Sequence, residues 1–165
     1  MELHEIGEQV GSVFQDPRSQ FFTTNSTDEV AFGCQNMGLS RTEIFRRVDA
    51  AFSCLDIEAL KGRNLFRISS GEKQKIAIAS CCAMEPGIYV FDEPSANLDI
   101  ASTMQLAQIM RRLKQAGNTV IVIEHRLYYL TSLVDRVVYM SKGRIQKVLF
   151  PGELPGLSAE ELSKM

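Results

Sequence analysis

Two adjacent carboxylates, Asp92 and Glu93, are the residues of this sequence whose type and spacing best suit metal binding and acid–base catalysis. They follow an apolar stretch at residues 88–91, which predicts a strand buried on both faces, and Pro94 ends that strand. Ligands of open parallel sheets bind at the carboxyl ends of the strands. A carboxylate pair at such an end would supply a metal ligand beside a general base, whereas an acidic, solvated turn after a strand would have the same sequence.

The elements around this pair predict that further polar groups lie beside it. A second buried strand, predicted at residues 119–123, is followed closely by His125, and a helix is predicted at 100–116 between the two strands. This order favours a parallel sheet, in which the carboxyl ends of neighbouring strands share one edge. The carboxylate pair and His125 should therefore lie along the same rim. If the apolar stretch at 10–14 forms a third strand, Gln15 joins them.

Helix-start signals divide the rest of the chain into short helices and loops. The capping-box pattern S-x-x-E begins at Ser26, Ser40, Ser69 and Ser158. It predicts helices at residues 26–37, 40–55 and 72–84, after a loop at 16–26, and a last short helix from 158. The 72–84 helix is apolar nearly all round, which predicts deep burial. A short helix at 127–133 and a hairpin at 137–150 complete the predicted elements.

Composition limits the classes of function. The 165 residues are 45% hydrophobic and 23% charged, as in one globular domain, and the net charge of −2 gives no reason to expect a nucleic-acid partner. The four cysteines lack metal-ligand spacing, so reduced core or surface thiols are expected. The N-terminal segment has no signal-peptide core, and no window reaches the roughly 18 apolar residues of a spanning helix. A role at a membrane would therefore require a partner.

Taken together, these residues resemble the ATP-binding subunit of ABC transporters. Five motifs occur in that family's order between residues 8 and 150: Gln15 (Q-loop), residues 68–74 (ISSGEKQ, signature), 88–93 (IYVFDE, Walker B), 95–99 (SANLD, D-loop) and His125 (H-loop). One short motif is a weak signal, but five in order are specific. The resemblance implies an α/β fold, with part of a P-loop NTPase parallel sheet and an inserted α-helical subdomain. The subdomain would span residues 16–75, the core 8–15 and 76–150, and a C-terminal tail 151–165.

The resemblance also implies roles at the rim, with ATP and Mg²⁺ as cofactors. Asp92 would hold Mg²⁺ on the phosphates, and Gln15 would contact Mg²⁺ or the attacking water. Glu93 would act as general base on that water. His125 would contact the γ-phosphate. A lone histidine at a strand end is more often a structural hydrogen-bonding residue, and it is the order of the motifs that favours the catalytic role.

In the family, the signature segment faces the ATP of a second subunit. Backbone N–H groups at the start of a helix favour phosphate, which makes the segment a plausible anion site. Ser69 can either cap the helix or donate to phosphate, and Ser70 stands where the family usually has glycine. The resemblance assigns six residues to nucleotide binding: Gln15, Ser69, Ser70, Gly71, Glu72 and Asp99. Glu72 stands where glutamine is commoner, although importers of the energy-coupling-factor type often carry Glu-Lys-Gln.

Two features of the family do not occur in these residues. The phosphate-binding pattern G-x-x-x-x-G-K-[ST] is absent, and no aromatic residue can be assigned to the adenine, although both precede the Q-loop in the family. The sequence therefore resembles the C-terminal part of one incomplete ATPase domain, spanning residues 1–165. We expect the isolated chain neither to hold ATP tightly nor to hydrolyse it.

The segment between Gln15 and Ser69 indicates which branch of the family this sequence resembles. It lacks the long coiled coil of the chromosome-maintenance and DNA-repair relatives. Residues 16–22 (DPRSQFF) and 28–33 (DEVAFG) resemble the energy-coupling-factor and cobalt-type importers, which take up vitamins or metal ions. The expected partners are a second ABC ATPase subunit, in a homo- or heterodimer, and a transmembrane coupling protein. The protein would be peripheral, at the cytoplasmic face of the cell membrane.

Alternatives remain open from the sequence. The protein could be a soluble ABC protein of translation or repair, or a non-enzymatic module that pairs with an ABC subunit. The expected docking face for the membrane partner lies around residues 18–22 and the 27–60 helices. Phe21 and Phe22 could equally well belong to that face or to the core.

Overall fold

Three parallel strands form the sheet that carries the predicted rim residues. A computed structural model describes residues 3–151 and 153, and the chain divides after Arg126 into two compact units. In chain order, the first unit contains α1 (Leu3–Gln9), β1 (Val10–Val13), α2 (Ser26–Asn36), α3 (Arg41–Cys54), α4 (Ser70–Met84), β2 (Ile88–Asp92), α5 (Ile100–Gln115) and β3 (Thr119–Ile123). The second unit contains β4 (Val137–Ser141) and β5 (Arg144–Leu149).

The strand order β1-β2-β3, parallel throughout, confirms the predicted α/β fold. β2 lies in the centre, with Val13 of β1 opposite Phe91 and Ile123 of β3 opposite Asp92. Successive strands run in the same direction, so all three finish at one edge of the sheet. This edge is where the sequence placed the polar side chains.

The two faces of the sheet are buried to different extents. Tyr89 and Phe91 of β2 are buried, but the residues that alternate with them are only half-buried. On β3, Ile121 and Ile123 are 48% and 51% exposed. The prediction of complete burial was therefore wrong for β3 and only half right for β2. An apolar run indicates a strand, but it does not show which face another element covers.

Helix α4 is the centre of the helical packing. None of its residues from Gly71 to Met84 is exposed, as its apolar circumference predicts, and it packs against α2 and α3. Ile76 and Ile78 of this helix are fully buried, as is Phe52 of α3. Burial of one such side chain contributes about 1.5–3 kcal/mol, so this contact stabilises the arrangement of the three helices.

The start of α2 differs from its prediction. The capping residue is Asn25, whose Oδ1 accepts hydrogen bonds from the backbone N–H groups of the first turn, and not Ser26. Ser26 is buried and donates to the carbonyl of Leu60. Glu29, the other half of the expected capping box, accepts from the N–H groups of Phe22 and Thr23 at 3.0 and 2.8 Å. Both side chains of the expected capping box are therefore bonded to residues outside the helix.

The second unit is built on the predicted hairpin of β4 and β5. Lys142 and Gly143 connect the strands with φ of 50° and 71°, as a tight two-residue turn requires. The helix predicted at 127–133 was wrong. Leu127–Tyr129 forms a 3₁₀ turn, whose bonds link residues three apart. The helix predicted from Ser158 lies outside the described residues, and no described helix is long and apolar enough to cross a membrane.

Candidate functional site

Glu93 stands between Gln15 and His125 at the end of the parallel strands. One of its carboxylate oxygens accepts a hydrogen bond from Gln15 Nε2 at 3.0 Å. The other lies 3.3 Å from His125 Nε2. Gln15 lies 78 residues before Glu93, and His125 lies 32 residues after it. The three side chains that the sequence placed on one rim are therefore in direct contact. We call these three residues and Asp92 the rim residues.

The backbone around Glu93 sets the direction of its carboxylate. Its N–H donates to the carbonyl of Ile123 at 2.9 Å, which extends the pairing of β2 and β3 by one residue. Its φ of 43° then places it in the left-handed region, where residues other than glycine are uncommon. Such backbone conformations are concentrated at functional sites. The chain thus leaves the strand abruptly at Glu93, the residue that contacts both Gln15 and His125.

Asp92 is the rim residue suited to a metal ion. Its side chain is exposed and makes no hydrogen bond or ion pair with any described residue. No group of three or more His, Cys, Asp or Glu side chains able to hold a metal ion occurs among the described residues. Mg²⁺ at nucleotide sites needs only one or two carboxylates, because phosphates and waters complete its shell. The exposed Asp92 carboxylate, next in the chain to the residue that binds Gln15, fits that requirement.

Glu124 and Ser95 are two residues of this region to which the sequence assigned no role of their own, and Ser95 was noted only as the first residue of the D-loop. The Oε2 atom of Glu124 accepts from the Ser95 hydroxyl at 2.7 Å and from its N–H at 3.3 Å. Its Oε1 atom accepts from the N–H groups of His125 and Arg126 at 2.9 and 3.1 Å. The only sequence signal was a third carboxylate beside His125, at the end of a strand. Glu124 therefore joins the end of β3 to the turn after β2.

The signature segment lies at the start of α4, where the capping box predicted at Ser69 is complete. The Ser69 hydroxyl accepts from the N–H of Glu72, and the Glu72 carboxylate accepts from the N–H of Ser69 at 2.7 Å. Hydrogen bonds from the Ser69 backbone and side chain lower the pKa of Glu72 below its usual value. A hydroxyl that accepts one bond still has its own proton to donate, so capping leaves Ser69 able to bind an anion.

The start of α4 contacts the D-loop and the start of α5. Ser70 Oγ donates to the carbonyl of Asn97 at 3.2 Å. A Cβ atom at Gly71 would lie 3.0 Å from Ser102 Oγ, so the absence of a side chain there permits the close approach. Asp99 caps α5 by accepting from the Ser102 N–H at 2.7 Å, and this bond lowers the pKa of Asp99.

The predicted site residues therefore fall into two groups. Among the residues that the structure describes, no hydrogen bond or ion pair joins Ser69, Glu72 or Asp99 to the rim residues. The two groups border the same space, however, because Gln15 and Ser70 both line an open cleft of about 500 Å³. The structure brings Gln15, Glu93 and His125 into contact, and of the signature residues assigned to nucleotide binding only Ser70 shares the cleft with Gln15.

Comparison with known proteins finds similarity to ATP-binding proteins of ABC transporters. Residues 1–96 match the family described as ABC transporter. A putative ABC transporter ATP-binding protein of Treponema denticola is 42% identical over 144 residues, which make up 87% of this chain and 29% of that protein. The energy-coupling factor transporter ATP-binding protein EcfA of Carboxydothermus hydrogenoformans is 43% identical over 143 residues, or 87% of this chain and 53% of that protein.

A solved structure extends the similarity to the fold. The structure of cbiO1 from Clostridium perfringens, described as part of the ABC transporter complex cbiONQ, matches with a TM-score of 0.79 and 34% sequence identity. The match covers 96% of this chain and 62% of the cbiO1 chain. The chain thus spans between 29% and 62% of the length of these three relatives.

Proposed function

Because this chain belongs to the ABC transporter ATP-binding family, we propose that it is part of an ATPase subunit that powers an importer. The observation that carries the proposal is the contact from Gln15 through Glu93 to His125, at the shared end of three parallel strands. The similarity to EcfA and to cbiO1 supports an importer of the energy-coupling-factor or cobalt type. Its substrate would then be a vitamin or a metal ion.

In this proposal Glu93 is the general base. Gln15 and His125 each approach a different oxygen of its carboxylate, and this fixes the plane of the group. A carboxylate offers about four acceptor positions, so positions remain for a water molecule whose proton Glu93 takes. The side-chain carbonyl oxygen of Gln15 takes no part in its bond to Glu93 and would accept from the same water. Proton transfer by a positioned carboxylate contributes about 10²–10⁴-fold to a rate.

The phosphates of ATP would lie next to these groups. His125 has a side chain that is 81% exposed, so its ring can donate to a γ-phosphate oxygen without displacing protein atoms. Asp92 would be a ligand of the metal ion. Bound Mg²⁺ supplies neutralisation of the phosphate charge, which in this family of reactions accounts for much of the catalysis.

The proposed partners are a second ATPase subunit and a transmembrane coupling protein. The signature residues Ser69, Ser70, Gly71 and Glu72, with Asp99, would meet the nucleotide of the second subunit. The coupling protein would dock around Arg18 and Phe22, and the subunit would be peripheral at the cytoplasmic face of the membrane. Phe22 is 74% exposed and stacks on Phe32 with ring centroids 4.7 Å apart, which favours the docking face over the core for this residue.

The test is ATP hydrolysis by the full-length protein with its partner subunits. Glu93→Gln removes the base but keeps the size of the side chain, and it should lower kcat by about 10²–10⁴-fold. ATP binding should be retained. Glu8→Gln, at an exposed position of α1, is the matched control and should hydrolyse ATP as the wild type does. A Glu93→Gln protein with wild-type kcat would refute the assignment.

The isolated 165-residue chain provides a second test. It contains no phosphate-binding loop pattern, so titration with ATP should give no binding in the low micromolar range and no hydrolysis. Low-micromolar affinity would contradict this expectation. If the full-length protein pairs with an ABC subunit but hydrolyses no ATP, the alternative of a non-enzymatic pairing module replaces the proposed function.

A further inference from the structure

The carboxylate of Glu124 connects the ends of two neighbouring strands. Glu124 follows β3, and its two oxygens are divided between the two sides. Oε1 accepts from the N–H groups of His125 and Arg126 on its own segment. Oε2 accepts from the hydroxyl and N–H of Ser95, two residues after Glu93. Four hydrogen bonds thus converge on one side chain, and an ionised acceptor makes each of them stronger than a neutral pair.

His125 depends on this connection for its position. Its imidazole is 81% exposed, so packing does little to fix the ring. The ring lies 3.3 Å from Glu93, whereas the backbone that carries it is bound to Glu124 at 2.9 Å. The placement of an exposed side chain is set mainly by its backbone. The Glu124 bond is therefore the structural basis for the distance between His125 and Glu93.

On the other side, Ser95 is fully buried and begins the turn that leads to α5. The carbonyl of Ser95 accepts from the N–H of Leu98 at 3.1 Å and lies 3.4 Å from Arg126 Nη1. The hydroxyl, the N–H and the carbonyl of Ser95 are thus all engaged. A change at Glu124 must then affect the His125 backbone and the turn at Ser95 together.

We propose that Glu124 is a positioning residue, which holds His125 and the turn at Ser95 in the geometry needed for ATP hydrolysis. The inference rests on the proposed function, and it adds to it a residue that acts through its neighbours rather than on the nucleotide. Glutamine has the size of glutamate but only one acceptor oxygen, so in Glu124→Gln an NH₂ group must face donors on one of the two sides. Ser95→Ala removes only the hydroxyl of the other partner.

The first experiment measures steady-state ATP hydrolysis by the full-length protein with its partner subunits. Glu124→Gln and Ser95→Ala should each lower kcat, the former by about 10- to 100-fold, with little change in KM for ATP. Because both changes disrupt one contact, the double variant should be no slower than Glu124→Gln alone. Unchanged kcat in Glu124→Gln, a change in KM alone, or effects that multiply in the double variant would overturn the proposal.

The second experiment does not require activity, so it separates this inference from the proposed function. Amide hydrogen exchange of the full-length protein should be faster in Glu124→Gln either at His125 and Arg126 or at Ser95, according to the side that the NH₂ group faces, with exchange in α4 unchanged. Glu8→Gln should leave all these rates as in the wild type. If the wild type hydrolyses no ATP, the proposed function fails while faster exchange still supports the role of Glu124. Unchanged exchange at all three amides, or faster exchange throughout the sheet, would overturn the proposed role of Glu124.

Discussion

The left-handed backbone conformation of Glu93 should affect the stability of the protein in a way that two substitutions can measure. Its φ is 43°, and an L-residue in this region costs about 1–2 kcal/mol relative to ordinary conformations. Glycine avoids this cost but loses about 0.5–1 kcal/mol through its freedom in the unfolded chain. Glu93→Gly and Glu93→Ala both remove the carboxylate and its contacts with Gln15 and His125. The difference between them therefore isolates the backbone.

From these terms, we expect Glu93→Gly to be more stable than Glu93→Ala by about 0.5–1 kcal/mol. For a chain of this length, that difference corresponds to a rise of about 1–4 °C in the melting temperature. The assay is thermal unfolding of the two variants in parallel, followed by circular dichroism. The matched control is Gln105, at an exposed site within α5. There Gln105→Ala should be more stable than Gln105→Gly by about 1 kcal/mol, the order opposite to that expected at Glu93.

The reasoning is refuted if Glu93→Ala melts at the same temperature as Glu93→Gly or above it, while the order at Gln105 is as expected. The result also separates two requirements at this position. Glycine meets the requirement of the turn better than glutamate does, but it has no carboxylate. Glu93→Gly should therefore be the more stable and yet inactive variant, because the strained residue is kept for its side chain.

Three further predictions concern the helices. Ser70→Gly removes one exposed hydrogen bond of 3.2 Å, so ATP hydrolysis by the full-length protein should be unchanged, and a steep rise with an intact dimer would contradict this. A Cβ at Gly33 would lie 2.5 Å from Met84 Sδ, so Gly33→Ala should raise stability by about 1 kcal/mol when it is added to Met84→Ala, but not when it is added to the wild type; a gain in the wild type would count against the contact. Arg46 and Arg47 bond Glu43 and lower its pKa from 4.5 to about 2. The wild type should therefore melt at a higher temperature than Glu43→Gln, with the full difference above pH 4.5 and none as the pH falls towards 2. A difference independent of pH would show that the ion pairs contribute nothing.

The elements that the sequence predicted correctly are those specified by neighbouring residues. The strands β2 and β3 have apolar runs bounded by turn residues, and the hairpin turn at Lys142 and Gly143 has the backbone that its residues favour. The helix α4 has both a complete capping box and an apolar circumference. Each of these signals lies within about ten residues of the element that it predicts.

The errors concern contacts between distant segments. Asn25 caps α2 because Ser26 is bound to Leu60, which lies 34 residues away, and Glu29 is bound to the preceding loop. No local pattern reveals that these side chains are occupied. The exposure of Ile121 likewise depends on what covers β3, which the apolar pattern of the strand does not contain.

The candidate site shows the same division. The meeting of Gln15, Glu93 and His125 follows from parallel strands that end at one edge, so the sequence alone was enough to predict it. The bond between Glu124 and Ser95 was not predicted. Both residues follow strands, but polar residues after a strand are common, and only the register of β2 and β3 brings these two together.

Two of the side-chain hydrogen bonds of the D-loop, one at Ser95 and one at Asn97, differ in strength, and this difference indicates where movement would occur. Its first residue, Ser95, is fully buried and bound to a carboxylate at 2.7 Å, a bond to a charged group that contributes about 1.5–3 kcal/mol. Its link to α4 is the Ser70 hydroxyl, exposed and 3.2 Å from the Asn97 carbonyl. If the signature segment moves relative to the rim when nucleotide binds, the exposed bond should break first, and Glu124 should keep His125 in place. This is why we expect Ser70→Gly to be tolerated and Glu124→Gln to be damaging, and the reverse order would show that the rigid connection lies on the other side of the D-loop.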